Sequence, residues 1–446
     1  MRVVVTLSKK IIVAGLGHGG ITAAAILAKN GYDVTVYEQK KEGTLGHDWT
    51  DIFAPKSLDF AGIPMPSEDK YEVKENMTFL NPSLTVSLKQ DIPDDEKEIK
   101  MERKDIYAHL ISYALECGVK IEYECGVKAP IMLGSRVVGI STEKGDFYAD
   151  LVIDSCGIDS PVRKNLPDYV PVDKEITASD RIYVYRAFYN KACDEPVEDK
   201  FKLILFFNNK KGINWVAGED EYTDVLVGRF EPFGMDEVEE TLTELRKTNP
   251  RLGNEVVRGG QFVHIPIRQP LSVMVWDGYA VIGDAACMTV PLIGSGMANC
   301  FKAGKILADA VMADTDCCFD RYTLWKYQFN YYKEVGAGLA PIAVAKNLLV
   351  GLEPSVIDSF FESGAITADD INISAEFGDI GDMLKFDLND LITKFKAVTA
   401  DKILTKKALK CGAQIGAVGA LCAGMPKNWN RDTVTSWAKK YNGIFK

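Results

Sequence analysis

No stretch of the 446-residue sequence strings together the roughly 18 apolar residues that a membrane-crossing helix needs, which argues against a helical membrane span. No CxxC pair occurs among the ten cysteines, and the adjacent Cys317 and Cys318 sit in an acidic, turn-like stretch. Zinc and iron–sulfur sites are thereby disfavoured, and the usage is that of a reduced, cytosolic protein. Positive charge is in deficit: 52 Lys and Arg against 63 Asp and Glu leave a net −11, so no broad basic surface for nucleic acid is expected. The opening MRVVVTLSKK holds too short an apolar run for a signal peptide, and the apolar residues after Lys10 are needed for a strand.

What is present is ordinary for a globular chain, with 47% hydrophobic and 26% charged residues. The length points to two packed domains or one large one around a sizeable core. The first informative stretch is IIVAGLGHGGITAAAILAKNGYDVTVYEQ, from Ile11 to Gln39. Ile11 to Ala14 suit a buried parallel strand, and His18 to Lys29 carry the alanines of a helix packed closely on a sheet. Between them Gly15 permits a tight turn, Gly17 lets backbone approach a pyrophosphate, and Gly20 lets helix and strand pack closely. The next strand, YDVTVYE, ends at Glu38, where a carboxylate would accept hydrogen bonds from both ribose hydroxyls of an adenosine and repel a 2′-phosphate. This is a dinucleotide loop, and by itself it does not separate FAD from NAD.

Two further stretches, GDFYADLVIDSCGIDSPVRKNL (Gly145 to Leu166) and DGYAVIGDAACMTVPLIGSGMANCFKAGKILADAV (Asp277 to Val311), each put an apolar strand before a small-residue turn. Strand ends of this kind lie at the ligand crevice of a doubly wound sheet, so Asp284 is placed to reach a ribityl or phosphate group. Gly294, Gly296 and the helix expected from about Met297 would bring N–H groups to a phosphate or a flavin ring oxygen.

These three motifs, in this order, resemble those of the FAD-dependent oxidoreductases of the p-hydroxybenzoate hydroxylase superfamily, and most of all their geranylgeranyl reductase branch. The resemblance covers roughly residues 10 to 312. It implies FAD bound in an extended form, with Gly15, Gly17 and Gly20 at the pyrophosphate and Glu38 at the ribose. It also implies Asp284 at the ribityl chain and the GDAA…P…G.G residues Gly283, Pro291, Gly294 and Gly296 around it. The helix MERKDIYAHLISYALECGVKI resembles the one whose arginine lies along FAD, which points to Arg103. Two departures stand out. Cys156 occupies a position that is usually acidic, and the substrate-domain motif YxWxFP is reduced to GINWVAGEDEYTDVLVGRF, which keeps Trp215 as a candidate substrate contact.

The expected fold is α/β. A discontinuous Rossmann-type FAD-binding domain (1–55, 100–165 and 270–312) would carry an inserted antiparallel-sheet substrate domain (56–99 and 166–269) and a helical C-terminal region (313–446). The segments RIYVYRAFYN, FKLILFFNN, GINWVAG and TDVLVGRF alternate as strands of that sheet, which would roof the flavin. The C-terminal small-residue stretches EVGAGLAPIAVAKNLLVGL and ALKCGAQIGAVGALCAGM fit ordinary close packing, a tunnel for a long apolar substrate, or peripheral contact with a bilayer.

Reduction of a double bond requires a hydride on one carbon and a proton on the other, and two titratable residues lie near the motifs: His47 in TLGHDWTD and Cys287 after GDAA. A surface-loop histidine and a small buried cysteine are the plainer readings of the two. GAGLAP at Gly336 lacks a preceding strand, so a second dinucleotide fold is not expected. Electrons would then come from transiently bound NAD(P)H or from a ferredoxin-type donor. The leading expectation is a cytosolic FAD enzyme that reduces a carbon–carbon double bond of an apolar substrate, polyprenyl or otherwise. Its rivals are a flavin monooxygenase and a halogenase, the latter disfavoured because no WxWxIP is present. A flavin electron carrier or regulatory protein would leave the middle sheet without a cavity to roof.

Overall fold

Ile11, Ile12, Val13 and Ala14 are buried because the strand Lys10–Ala14 lies inside a parallel sheet, between Leu151–Asp154 and Asp33–Tyr37. A strand covered on both faces reads as a continuous apolar run. The structure, a computed structural model, describes residues 9–194, 199–368 and 402–446, together with Ile371 and Thr393. The opening residues 1–8 and most of the acidic, phenylalanine-containing stretch between the two small-residue segments lie outside the described residues.

The six-stranded sheet runs in the order Val275–Trp276, Tyr279–Val281, Leu151–Asp154, Lys10–Ala14, Asp33–Tyr37, Lys120–Glu122, parallel except at the first, antiparallel edge. The chain leaves Lys10–Ala14 toward one side first and returns later to the other, so a crevice opens at the carboxyl ends of Lys10–Ala14 and Leu151–Asp154. The helices His18–Lys29 and Met297–Met312 start there, as the glycine patterns predict.

A seven-stranded sheet forms the second layer, in the order Leu252–Pro266, Arg181–Lys191, Tyr222–Arg229, Ile213–Gly218, Phe201–Leu205, Thr78–Leu80, Ser87–Lys89. It is antiparallel except where Thr78–Leu80 meets Phe201–Leu205. Period-two alternation separates its faces. Tyr185, Ala187, Val225 and Val227 pack on the helix Met235–Thr248, while Ile182, Val184 and Ile213 face Leu352, Ile357, Phe360 and Phe361 of the C-terminal region. Within residues 56–99, the helix Lys56–Ala61 joins the core of the parallel sheet through Leu58 and Ala61, whereas Thr78–Leu80 and Ser87–Lys89 extend the seven-stranded sheet.

The C-terminal helices Arg321–Tyr331, Ala337–Val350, Lys402–Ala423 and Arg431–Ile444 share the core of the parallel sheet through Trp325, Leu339, Val418 and Trp437. Pro354–Glu362 adds a further helix on the cavity side. No single described helix is long and apolar enough to cross a membrane.

Candidate functional site

The glycine turn is pressed against the end of the neighbouring strand. Gly15 has φ +83°, and a Cβ there would stand 2.7 Å from the Ser155 carbonyl oxygen; at Gly17 a Cβ would stand 2.5 Å from Ser155 Oγ. The Glu38 carboxylate, nearly buried, accepts hydrogen bonds from Leu16 N (2.9 Å) and Lys40 N (2.8 Å) and so fixes the loop from the second strand. The helix His18–Lys29 begins at Gly17 without a side-chain cap, and Met297–Met312 begins likewise at Gly296. Two uncapped helix N-termini therefore open on one cavity, each with N–H groups and positive dipole available to an anion or a carbonyl oxygen.

The second and third motifs are tied to each other under this cradle. Asp154 is fully buried and accepts from Ser160 Oγ (2.6 Å), Tyr279 Oη (2.9 Å) and Cys156 N (3.1 Å), which holds the turn after its strand. Arg163, also fully buried, donates to the carbonyls of Ile158 and Ala285 and so fixes SPVR to GDAA. Cys156 lines the cavity with its thiol raised by burial. The Asp284 carboxylate also faces the cavity and has no hydrogen bond or ion pair among the described residues. Burial pushes it above the usual carboxylate range, with only the charge of Arg103 opposing. A half-buried carboxylate without a partner carries a desolvation cost unless something else supplies a donor, and a sugar-alcohol chain is such a donor.

Arg103 starts the helix Arg103–Glu116 and lies over the Trp49 ring at 4.8 Å, with both forks of its guanidinium on Asp51. Burial works to raise the Asp51 carboxyl, but the charge and hydrogen bonds of Arg103 outweigh it and hold the group below its usual range. Asp51 was not legible as a partner. It reaches Arg103 because Thr50–Phe53 pairs antiparallel with Ile99–Glu102, a register between segments some fifty residues apart that no local signal announces. His18 is a second unforeseen member: its ring stacks on Tyr107 at 4.7 Å, its Nε2 is buried with no partner, and burial and Arg103 lower it to about 4.

One cavity of about 1190 Å³ joins this polar cradle to an apolar half. That volume exceeds the range of roughly 300–1,000 Å³ that suits one small ligand. Beyond the glycine loop its walls are Val184, Leu203, Ile213 and Leu226 of the seven-stranded sheet, facing Leu349 and Phe361 of the C-terminal helices. At the junction Arg186 is buried, held by Asp224 (2.9 and 2.5 Å) and by Thr50 O and Oγ1 (2.5 and 2.6 Å), and lies 4.5 Å from the Trp215 ring.

Of the residues singled out from sequence, Gly15, Gly17, Glu38, His47, Arg103, Trp215, Gly283, Asp284, Gly294 and Gly296 all line this cavity. Gly20 does not; it packs beneath the loop, where a Cβ would stand 2.6 Å from Ser155. Pro291 is buried outside the lining as well. Cys287, expected as a reacting group, is fully buried, does not line the cavity, and has its thiol pushed up to about 11 by burial, so it remains an inert thiol. His47 stands beside Gln261 (3.2 Å) and Trp49, and burial with the charges of Arg103 and Lys40 lowers it to about 4. It is therefore neutral near pH 7 and ill-suited to the acid role expected for it.

No family model matches the chain. It is 24% identical over 389 residues to the digeranylgeranylglycerophospholipid reductase of Sulfolobus acidocaldarius, covering 83% of this chain and 84% of that one. It is also 24% identical over 375 residues to the same-named protein of Methanothrix thermoacetophila, covering 81% and 92%. Among solved structures, a geranylgeranyl bacteriochlorophyll reductase-like protein from Thermoplasma acidophilum superposes with a TM-score of 0.72 at 18% identity, over 88% of this chain and 99% of the other. The flavin-dependent brominase Bmp2 superposes with 0.62 at 16% identity, over 90% and 98%. The structural likenesses show the fold, a flavoprotein fold common to reductases and oxygen-using enzymes, and the likeness in sequence is to reductases along most of both chains. On these grounds the chain is an FAD-dependent oxidoreductase, similar along most of its length to proteins named as geranylgeranyl-lipid reductases.

Proposed function

We propose that the protein reduces carbon–carbon double bonds of a polyprenyl lipid drawn into the apolar half of its cavity. The observation that carries this reading is the continuity of that half with the polar cradle, because a long apolar chain can reach the cradle without leaving hydrophobic surface. Reduced FAD supplies hydride when bound.

The chain's own residues do the holding. The N–H groups at Gly17, His18 and Gly19 take the diphosphate, Glu38 accepts from the adenosine ribose, and Asp284 accepts from the ribityl hydroxyls. Asp51 locks Arg103 as a fixed cation beside them. Gly294 and the uncapped start of Met297–Met312 line the cavity and would hold a flavin ring oxygen through their backbone N–H groups. Val184, Leu226, Leu349 and Phe361 keep the reacting bond away from water, and Trp215 with Arg186 sets the width at the junction. Electrons arrive from transiently bound NAD(P)H or a ferredoxin-type donor. The protein works in the cytoplasm and touches a membrane surface when it collects its lipid.

The test is the visible spectrum of the purified protein, then anaerobic reduction with NADPH or dithionite, then addition of a geranylgeranylated lipid. Reoxidation of the flavin by that lipid, with two hydrogens gained per double bond, is expected. Rapid reoxidation by air with peroxide release, or an oxygen atom in the product, would replace the reading with a monooxygenase.

A further inference from the structure

The cavity holds a cation that the cofactor cradle does not use. Lys346, on the helix Ala337–Val350, lines the cavity at 6% exposure and makes no hydrogen bond or ion pair among the described residues. Its setting is apolar: Ala345, Leu348 and Leu349 from its own helix line the same cavity, as do Ile265 and Ile293. The charged groups facing it are Asp180 and Arg268, at the ends of the strands Arg181–Lys191 and Leu252–Pro266, and they are engaged with each other (3.8 Å) and, for Arg268, with Asp173 (3.4 Å). Gly294 packs on Ile182 and Ile265 of those same two strands, so Lys346 and the cradle glycine line one cavity and border the same pair of strands.

We propose that Lys346 is the proton donor of the double-bond reduction, delivering the Nζ proton to the alkene carbon that does not receive hydride. This rests on the function proposed above. The balance is simple: one π bond breaks and two C–H bonds form. One carbon receives hydride, with both electrons, from the reduced flavin; the other receives the proton of the Lys346 ammonium. The resulting neutral amine regains its proton from water once the product has left.

Other groups lining the cavity are less able to do this. His47 is neutral near pH 7. Arg186 is locked by Asp224 and Thr50, and a guanidinium is too weak an acid. Lys74 is paired with Glu98 at 3.4 Å. The thiols of Cys156 and Cys300 are raised by burial. Lys346 is shifted the useful way: burial lowers it from the ordinary lysine value, with Arg268 adding to the shift and Asp180 opposing it. That makes its ammonium a stronger acid than an exposed one.

The experiment compares holoenzyme of wild type, Lys346→Met and Lys346→Arg. In each, FAD content and dithionite bleaching are recorded first, and then the anaerobic rate at which a geranylgeranylated lipid reoxidises the reduced flavin. Both variants are expected to keep FAD and bleach normally while reoxidation by lipid slows about 10²–10⁴-fold, the usual worth of a placed acid. Arginine must fail along with methionine, because it keeps the charge and loses the acidity. Independently of turnover, ¹³C-methylated Lys346 is expected to titrate below the ordinary lysine value of about 10.4 by NMR. An arginine variant within threefold of wild type would overturn the proposal, as would a lysine titrating at or above its ordinary value. A wild-type enzyme that no polyprenyl lipid reoxidises would instead sink the function it rests on.

Discussion

Replacing Gly15 by alanine tests the cradle most directly. The residue has φ +83°, where an L side chain costs roughly 1–2 kcal/mol. The new Cβ would also stand 2.7 Å from the Ser155 carbonyl oxygen and 2.9 Å from Cys156 Cα. Both are backbone atoms, and Ser155 N is already bonded to Ala14 O at 2.8 Å, so relief requires parting the strand Lys10–Ala14 from the turn after Leu151–Asp154. Overpacking of this kind adds roughly 1–3 kcal/mol, for a total of about 2–5 kcal/mol. Gly31 is the control: its φ is +90° and a Cβ there meets nothing within 4 Å, so Gly31→Ala carries the backbone strain alone. Urea unfolding of the apoprotein and fluorescence titration with FAD would be run on both variants. Gly15→Ala is expected to lose more stability than Gly31→Ala by the packing difference and to bind FAD at least tenfold more weakly, a change of about 1.4 kcal/mol. Gly31→Ala should bind FAD as wild type does. Equal behaviour of the two variants would refute the claim that Gly15 is required by the close approach to Ser155.

Asp284→Asn should stabilise the apoprotein near neutral pH and weaken FAD binding. The raised carboxyl means stability is fully present below its unfolded value and is lost as pH rises through the folded one, and the amide removes that loss; thermal melts of apo and holo forms at pH 5 and pH 8 check both signs. His18, lowered from 6.5 to about 4, works in the other direction: stability contributed by its neutral form is lost as pH falls from 6.5 toward 4, by up to about 3 kcal/mol. His18→Phe should flatten that part of the stability profile; an unchanged acid limb would show that the imidazole is not held neutral. Leu349→Trp fills the apolar half, so reduction of a geranylgeranyl chain should fall well below that of a shorter prenyl chain in a product assay by mass spectrometry, whereas equal losses would place the substrate elsewhere.

The sequence by itself determined the elements whose signals are local. A tight turn, a helix start and a close helix–strand approach are demands of neighbouring residues, so Gly15, Gly17, Gly20 and the helix His18–Lys29 were readable, as were Met297–Met312 and the alternating strands of the second sheet. The placement of Glu38 at the end of the second strand followed from spacing alone. Tertiary structure decided what depends on distant segments meeting. The pairing of Thr50–Phe53 with Ile99–Glu102 set Asp51 on Arg103, and the second sheet brought Arg186 to Thr50. Folding of the C-terminal helices against that sheet made the apolar half of the cavity and left Lys346 inside it. Tertiary packing also enclosed Cys287 and held His47 neutral, two outcomes set by burial and by the sum of nearby charges, neither of which is written in any short run of residues.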